Sequence, residues 1–285
     1  DQGATWTQMT AAAAWSGRTR HTSVALSDGS IVLMGGSDGD RLNDVWRSTD
    51  QGATWTQMTA AAAWSGRYSH TSVALSDDSI VLMGGFISSG NAGNDVWRST
   101  DQGATWTLQT NNAAFIDRFG HTSVALSDDS IILEGGHLAS YPVGMDPHLS
   151  SVYRSTDQGA TWTYISAVYR HTDHTSVRLA NDVIVTMGGR NDDTRLNVVW
   201  RSTDQGDSWT QTSWSGRNGH TSVALSDGSI VLMGGYDGDR LNDVWRSTDQ
   251  GATWTQMTAA AAWSGRTSHT SVALSDGSIV LMGGY

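Results

Sequence analysis

The segment His-Thr-Ser-Val begins at His21, His70, His121, His174, His220 and His269, at intervals of 49, 51, 53, 46 and 49 residues. A chain that repeats itself six times at so even a spacing is not organised around one private core. Each copy is a unit that leaves an apolar face for its neighbour to cover.

Within a copy, HTSVAL alternates polar and apolar residues as a half-buried strand does. SDGS or SDDS then marks a tight turn, and IVLMGG is a short continuous apolar run that reads as a buried second strand. NDVWRS gives a third strand, and TDQGATWTQM a turn and a fourth. Four short strands at this period predict an all-β fold: a six-bladed β-propeller of four-stranded antiparallel blades, forming a single domain over residues 1–285. NDVWRS, or its variants SSVYRS and NVVWRS, occurs in five of the six copies, so the last blade is expected to lack its third strand. Residues 1–36 and 249–284 differ only at Arg20 against Ser268, and the opening DQGATWT is the turn and outer strand that the last copy needs. The N-terminal strand is therefore expected to join the sheet of His269–Gly284 and clasp the ring. An incomplete blade would also leave a sheet edge open to intermolecular contact on an otherwise monomeric chain.

GRYSHTSVALSDDSIVLMGG followed by NDVW and TW resembles a kelch repeat. STDQGATW resembles the Asp-box of sialidase-like propellers, with Ser48, Asp50, Gly52, Thr54 and Trp55 in the first full copy. The pairing is that of a kelch/Asp-box hybrid. In Asp50, Gly52 and Trp55, and again in Asp101, Gly103 and Trp106, the structural reading outweighs the catalytic one. Asp accepts backbone N–H bonds in a tight turn, Gly supplies the backbone geometry and Trp packs between sheets. Six nearly identical copies leave none singled out for chemistry.

All 17 cations are Arg, and Glu134 is the only Glu. There is no Cys, which excludes thiol nucleophiles and Cys-ligated zinc. A net charge of -11 without a Lys/Arg run argues against nucleic acid. No apolar run is long enough to span a bilayer.

Antiparallel strands place the SDGS and STDQGATW turns on one face of the disc, where the copies agree. The second-to-third loops and the connections between blades lie on the other, where they differ. Variable loops on a rigid frame mark a binding face. There Arg18, Arg67, Arg118, Arg217 and Arg266 stand three residues before the histidines, with Arg170 the nearest counterpart in the fourth copy. Trp15, Trp64, Phe115, Tyr169, Trp214 and Trp263 stand just upstream. The kelch resemblance implies that these connections approach the central opening. The arginines are then candidate ligands for carboxylates, sulfates or sugars, and the aromatics for sugar rings. The plainer alternative is that each Arg pairs with a nearby Asp and each aromatic packs under its loop.

A metal reading of the six histidines is set aside, since a His opening each inner strand more often bonds to the neighbouring blade, and no cofactor is expected. Glu134 replaces the usual Met and Arg178 the usual Ala in adjacent blades, so the two are predicted to form a partly buried ion pair. The function expected is a non-catalytic recognition module for a protein or glycan. Two alternatives stand beside it: a sialidase-like glycosidase, for which one carboxylate is a poor start, and a purely structural repeat.

Overall fold

The computed structural model describes residues 1–87, 91–141, 146–192 and 194–285. The first blade contains β1 (Thr22–Ala25), β2 (Ile31–Met34), β3 (Val45–Ser48) and β4 (Thr56–Thr59). The second contains β5 (Thr71–Ala74), β6 (Ile80–Met83), β7 (Val96–Ser99) and β8 (Thr107–Thr110). The third contains β9 (Thr122–Ala125), β10 (Ile131–Glu134), β11 (Ser151–Ser155) and β12 (Thr163–Ala167). In the fourth, β13 (Thr175–Arg178) and β14 (Ile184–Met187) are followed by a small loop hairpin of β15 (Arg190–Asn191) and β16 (Thr194–Arg195). The blade is completed by β17 (Val198–Ser202) and β18 (Thr210–Ser213). The fifth contains β19 (Thr221–Ala224), β20 (Ile230–Tyr236), β21 (Arg240–Ser247) and β22 (Thr255–Thr258). Each blade is antiparallel throughout, with its strands side by side in chain order.

The expected count of six four-stranded blades is corrected to five. β23 (Thr270–Ala273) and β24 (Ile279–Met282) pair only with each other, as a two-stranded hairpin between the fifth blade and the first. The predicted N-terminal clasp strand does not form either: residues 1–10 adopt turns, bends and irregular backbone outside any sheet. The physical reason is the missing NDVWRS segment: without a third strand beside β24, an outer strand has no ladder to join. The N-terminal turn is nevertheless seated by its side chains. Gly3 lies against Val231 and Val244 of the fifth blade, and Trp6 meets Trp263 edge-on at 6.0 Å.

The core is a set of blade-to-blade layers rather than one centre. The first and third residues of each second strand face the preceding blade, and the second and fourth face the following one. Val32 and Met34 thus pack with Ile80, Leu82 and Trp64, and Val81 and Met83 with Ile131, Leu133 and Phe115. All four residues of β2, β6, β10, β14 and the start of β20 are buried, whereas three of four in β24 are only partly so, since no third strand covers them.

The DQGATW turn ties each blade to the one before. Asp50 accepts the Thr54 N–H at 2.8 Å and its hydroxyl at 2.6 Å, while Ser48 Oγ accepts the Gly52 N–H at 2.8 Å. Trp55 donates its indole N–H to the Gly52 carbonyl at 3.1 Å. In the next copy, Gly103 has φ +92°, and a Cβ there would stand 2.7 Å from Val45 Cγ1 of the first blade. Only glycine fits a turn pressed this close against a neighbour.

Candidate functional site

The innermost strands β1, β5, β9, β13, β19 and β23 surround the axis. Just before each, one residue takes up the left-handed conformation: Arg20, Ser69, Gly120, Asp173, Gly219 and Ser268. Their backbones close a ring, in which each N–H donates at 2.9–3.0 Å to the carbonyl of its counterpart in the preceding sector, from Arg20 to Ser268 and round through Gly219, Asp173, Gly120 and Ser69 to Arg20. The histidine that follows each of them lines a central opening of about 120 Å³. His21, His70, His121 and His220 reach Thr270, Thr22, Thr71 and Thr175 of the preceding sector through Nε2 at 2.9–3.4 Å.

Burial first, and then the charge of the arginine three residues upstream, holds His21, His121, His220 and His269 down at about 3. An unfolded chain protonates these imidazoles below about pH 6.5, whereas the folded chain resists until about pH 3. Acid therefore favours unfolding, at about 1.4 kcal/mol per pH unit for each imidazole within that window. Calorimetry from pH 7 to 4 is expected to show a falling Tm, with proton uptake on unfolding that rises beyond four, because burial holds His70 and His174 well below the usual imidazole range as well. A flat Tm would show that the ring titrates normally.

The arginines proposed from sequence as ligand contacts are turned inward. Arg18, Arg67, Arg118 and Arg217 are 2%, 0%, 0% and 3% exposed. Arg18 pairs with Asp44 at 2.6 Å, Arg67 with Asp95 at 2.7 Å and Arg217 with Asp243 at 2.8 Å. Each also donates to the first carbonyl of the double glycine in its own blade. Arg118 donates to Ser151 Oγ and to the Gly135 and Ile116 carbonyls and, among the described residues, meets no carboxylate; burial lowers it to about 10. Arg170 is exposed and pairs with Asp146 at 2.8 Å. The residue in register with the other arginines in the fourth blade is His171. Arg266 is half-buried and, among the described residues, has no carboxylate partner.

The aromatics upstream are structural in the same way. Trp15 stands edge-on to Trp55, Trp64 to Trp106, Phe115 to Trp162 and Trp263 to Trp6, and Trp214 tilts against Trp254. Tyr169, which lacks such a partner among the described residues, is exposed.

The predicted Glu134–Arg178 pair is absent. Glu134 closes β10 at the loop end of its blade, whereas Arg178 closes β13 at the turn end, so the two lie at opposite ends of the neighbouring strands. Arg178 pairs with Asp182 at 3.1 Å. Glu134 is 1% exposed and accepts from Ser176 at 2.5 Å and from Thr186. Burial raises its carboxyl to about 7 against those two hydrogen bonds.

What the loop face does present is a ring of paired positions one step above the double glycines. The residue two before each histidine bridges the residue after each Gly-Gly: Thr19 with Ser37, Tyr68 with Phe86, Phe119 with His137, Thr172 with Arg190 and Asn218 with Tyr236. No two pairs are alike. Between the second and third blades they fuse into a half-exposed aromatic row. Tyr68 stacks on Phe86 at 5.1 Å, Phe86 meets Phe119 at 5.4 Å, Phe119 meets His137 at 5.1 Å, and Tyr141 follows at 5.8 Å. Arg20 lies over Tyr68 at 5.4 Å, and Arg41 over Phe86 at 5.2 Å. Arg195 and Arg240 cover Tyr236 and Tyr285 at 4.6 Å. Sequence reasoning passed over these positions because they flank the repeated motifs. Their signal was available: two variable positions on either side of an unvarying His and Gly-Gly. The Gly136–Ser151 segment supplies His137 and Tyr141 to the row and sets His148 edge-on to His137 at 4.9 Å; Pro147 is also described, while Pro142 lies outside the described residues.

Charge separates the faces as well. By segment, the turn face carries fifteen aspartates against six arginines, and the loop face thirteen acids against eleven arginines. An acidic partner is therefore repelled from the first face and tolerated by the second.

A family model described as "KLHDC2/KLHL20/DRC7 Kelch-repeats domain" matches residues 69–284. A protein named xyloglucanase, from Paenibacillus sp, is 36% identical over 85 residues, covering 26% of this chain and 8% of that protein. No helix among the described residues is long and apolar enough to cross a membrane.

Proposed function

We propose that this chain, which belongs to the KLHDC2/KLHL20/DRC7 Kelch-repeats domain family, is a non-catalytic module that binds a partner protein on the loop face of its propeller. The observation that carries this reading is the Tyr68–Phe86–Phe119–His137 row with Arg20 and Arg41 over it. Large aromatics and arginine are the side chains that dominate binding energy at protein interfaces. Here they stand on the one face where the copies differ. The fitting partner segment combines apolar side chains, to cover the rings, with carboxylates, to meet the guanidinium groups.

Peptides selected on the folded domain from a random display library test this. Enrichment in acidic and apolar residues is expected, with affinity falling roughly 10- to 30-fold in Phe86→Ala and unchanged in the turn-face variant Gln102→Ala. Ligands that ignore Phe86→Ala would overturn the assignment of the face. A second arm offers xyloglucan oligosaccharides, since the partial similarity to a xyloglucanase and the aromatic row both admit a glycan. Binding of these and not of peptides would move the function to carbohydrate recognition.

A further inference from the structure

We infer that Glu134, His171 and His174 form a site for one divalent transition-metal ion of the zinc class, between the third and fourth blades. Three departures from an otherwise near-uniform repeat meet there. Glu134 occupies the position of Met34, Met83, Met187, Met233 and Met282. His171 occupies that of Arg18, Arg67, Arg118, Arg217 and Arg266, and Thr186 that of Leu33, Leu82, Leu133, Leu232 and Leu281. The aspartate that pairs with the arginine in the first, second and fifth blades is Val198 in the fourth, so the whole ion pair has been dismantled where the histidine enters.

The three side chains offer ligand atoms that all lie within 4.8 Å of one another, and all three are buried. The two imidazoles stand at 77° with their centroids 3.7 Å apart, and His174 Nε2 lies 3.6 Å from Glu134 Oε1, beyond a hydrogen bond. Among the described residues, Glu134 Oε2 and both ring nitrogens of His171 and of His174 have no hydrogen-bond partner. Buried polar atoms are ordinarily satisfied, and a cation that takes one lone pair from each of the three side chains explains why these groups stand together without partners. Two imidazoles and a carboxylate form a donor set suited to zinc and its neighbours. The surroundings also hold the ligands in place: Ser176 and Thr186 occupy Oε1 and leave Oε2 for the ion. One nitrogen of His171 is turned to the Tyr169 carbonyl without reaching hydrogen-bond geometry, the usual outer partner of a ligating histidine. His174 also lines the central opening, which gives an ion its route in. A surface cluster of Asp146, His148 and Asp192 is no rival, because both nitrogens of His148 are already engaged.

The full chain, stripped with a chelator, is titrated with Zn2+ by calorimetry, and its metal content is measured after gel filtration. One zinc per chain and a raised Tm are expected. Glu134→Met, which restores the residue of the other copies, and His171→Gln should each weaken binding at least about 100-fold, more than loss of an outer partner does. Asp192→Asn should leave binding unchanged. Absence of retained zinc in the parent protein, or unaltered affinity in Glu134→Met, overturns the site. Should both variants fail to fold, Co2+ added to the parent decides: ligand-field bands of nitrogen and oxygen coordination support the site, and their absence refutes it.

Discussion

Replacing Asp95 by alanine is expected to destabilise the protein by about 3–5 kcal/mol, the range for stripping one partner from a buried charge pair. Asp95 and Arg67 meet in a two-pronged contact, Oδ1 to Nη1 at 2.8 Å and Oδ2 to Nη2 at 2.7 Å, and Arg67 is fully buried. Burial alone would push the Asp95 carboxyl up, but the Arg67 hydrogen bonds and charge, with the Trp97 indole N–H at 2.6 Å, outweigh it and hold it below the usual range. In Asp95→Ala the guanidinium keeps its bonds to the Gly84 and Ser65 carbonyls and loses its counter-charge. The double variant Arg67→Met/Asp95→Val should recover most of the loss, because removing both charges leaves no orphan. The fourth blade already carries Val198 at the aspartate position and no arginine opposite it. Chemical denaturation of the parent, both single variants and the double closes the cycle. A single-variant cost below about 1 kcal/mol would place the pair in the class of solvated surface bridges.

That pair also shows how far the sequence could be read. The strand order followed from periodicity alone, since IVLM between two turn signals is buried on both faces wherever two blades enclose it. The role of Arg67 did not follow, because an arginine at a loop face is equally suited to ligand and to counter-ion. The deciding partner stands 28 residues downstream, in the third-strand segment. One clue lay in the chain itself: the fourth copy has neither the arginine nor the aspartate. Glu134 and Arg178 were paired from their rarity, but antiparallel geometry sends the end of a second strand and the end of a first strand to opposite faces. The blade count failed for a cooperative reason. Turn chemistry in DQGATW is local and survives at residues 1–6, yet a strand exists only where another strand accepts its hydrogen bonds.

The same cooperativity makes the open sector repairable. Fusing a copy of residues 237–248, DGDRLNDVWRST, after Tyr285 is expected to raise the Tm by about 5–10 °C, which corresponds to roughly 3 kcal/mol in a chain of this size. Three unmet demands converge on the place such a segment would fill. The edge of β24 is unpaired and its Ile279, Val280 and Leu281 are only partly buried, beside a cleft of about 930 Å³ that Trp6, Trp15 and Trp263 also line. Arg266 donates to the Gly283 carbonyl as its counterparts do, but lacks the aspartate that Asp243 supplies to Arg217. In the fifth blade, Asn242 caps the following connection through the Ala261 and Trp263 carbonyls, and the grafted Asn would meet the equivalent carbonyls of Ala13 and Trp15. With a third strand in place, residues 5–10 gain a ladder and the N-terminal turn becomes the start of a strand. Calorimetry reads the gain, and hydrogen exchange at Ile279–Met282 should slow in step with it. Replacing the grafted Asp by alanine should remove a large part of the gain by leaving Arg266 unpaired as before. A fusion that melts with the parent would show that β24 and the N-terminal turn are held apart by more than a missing strand.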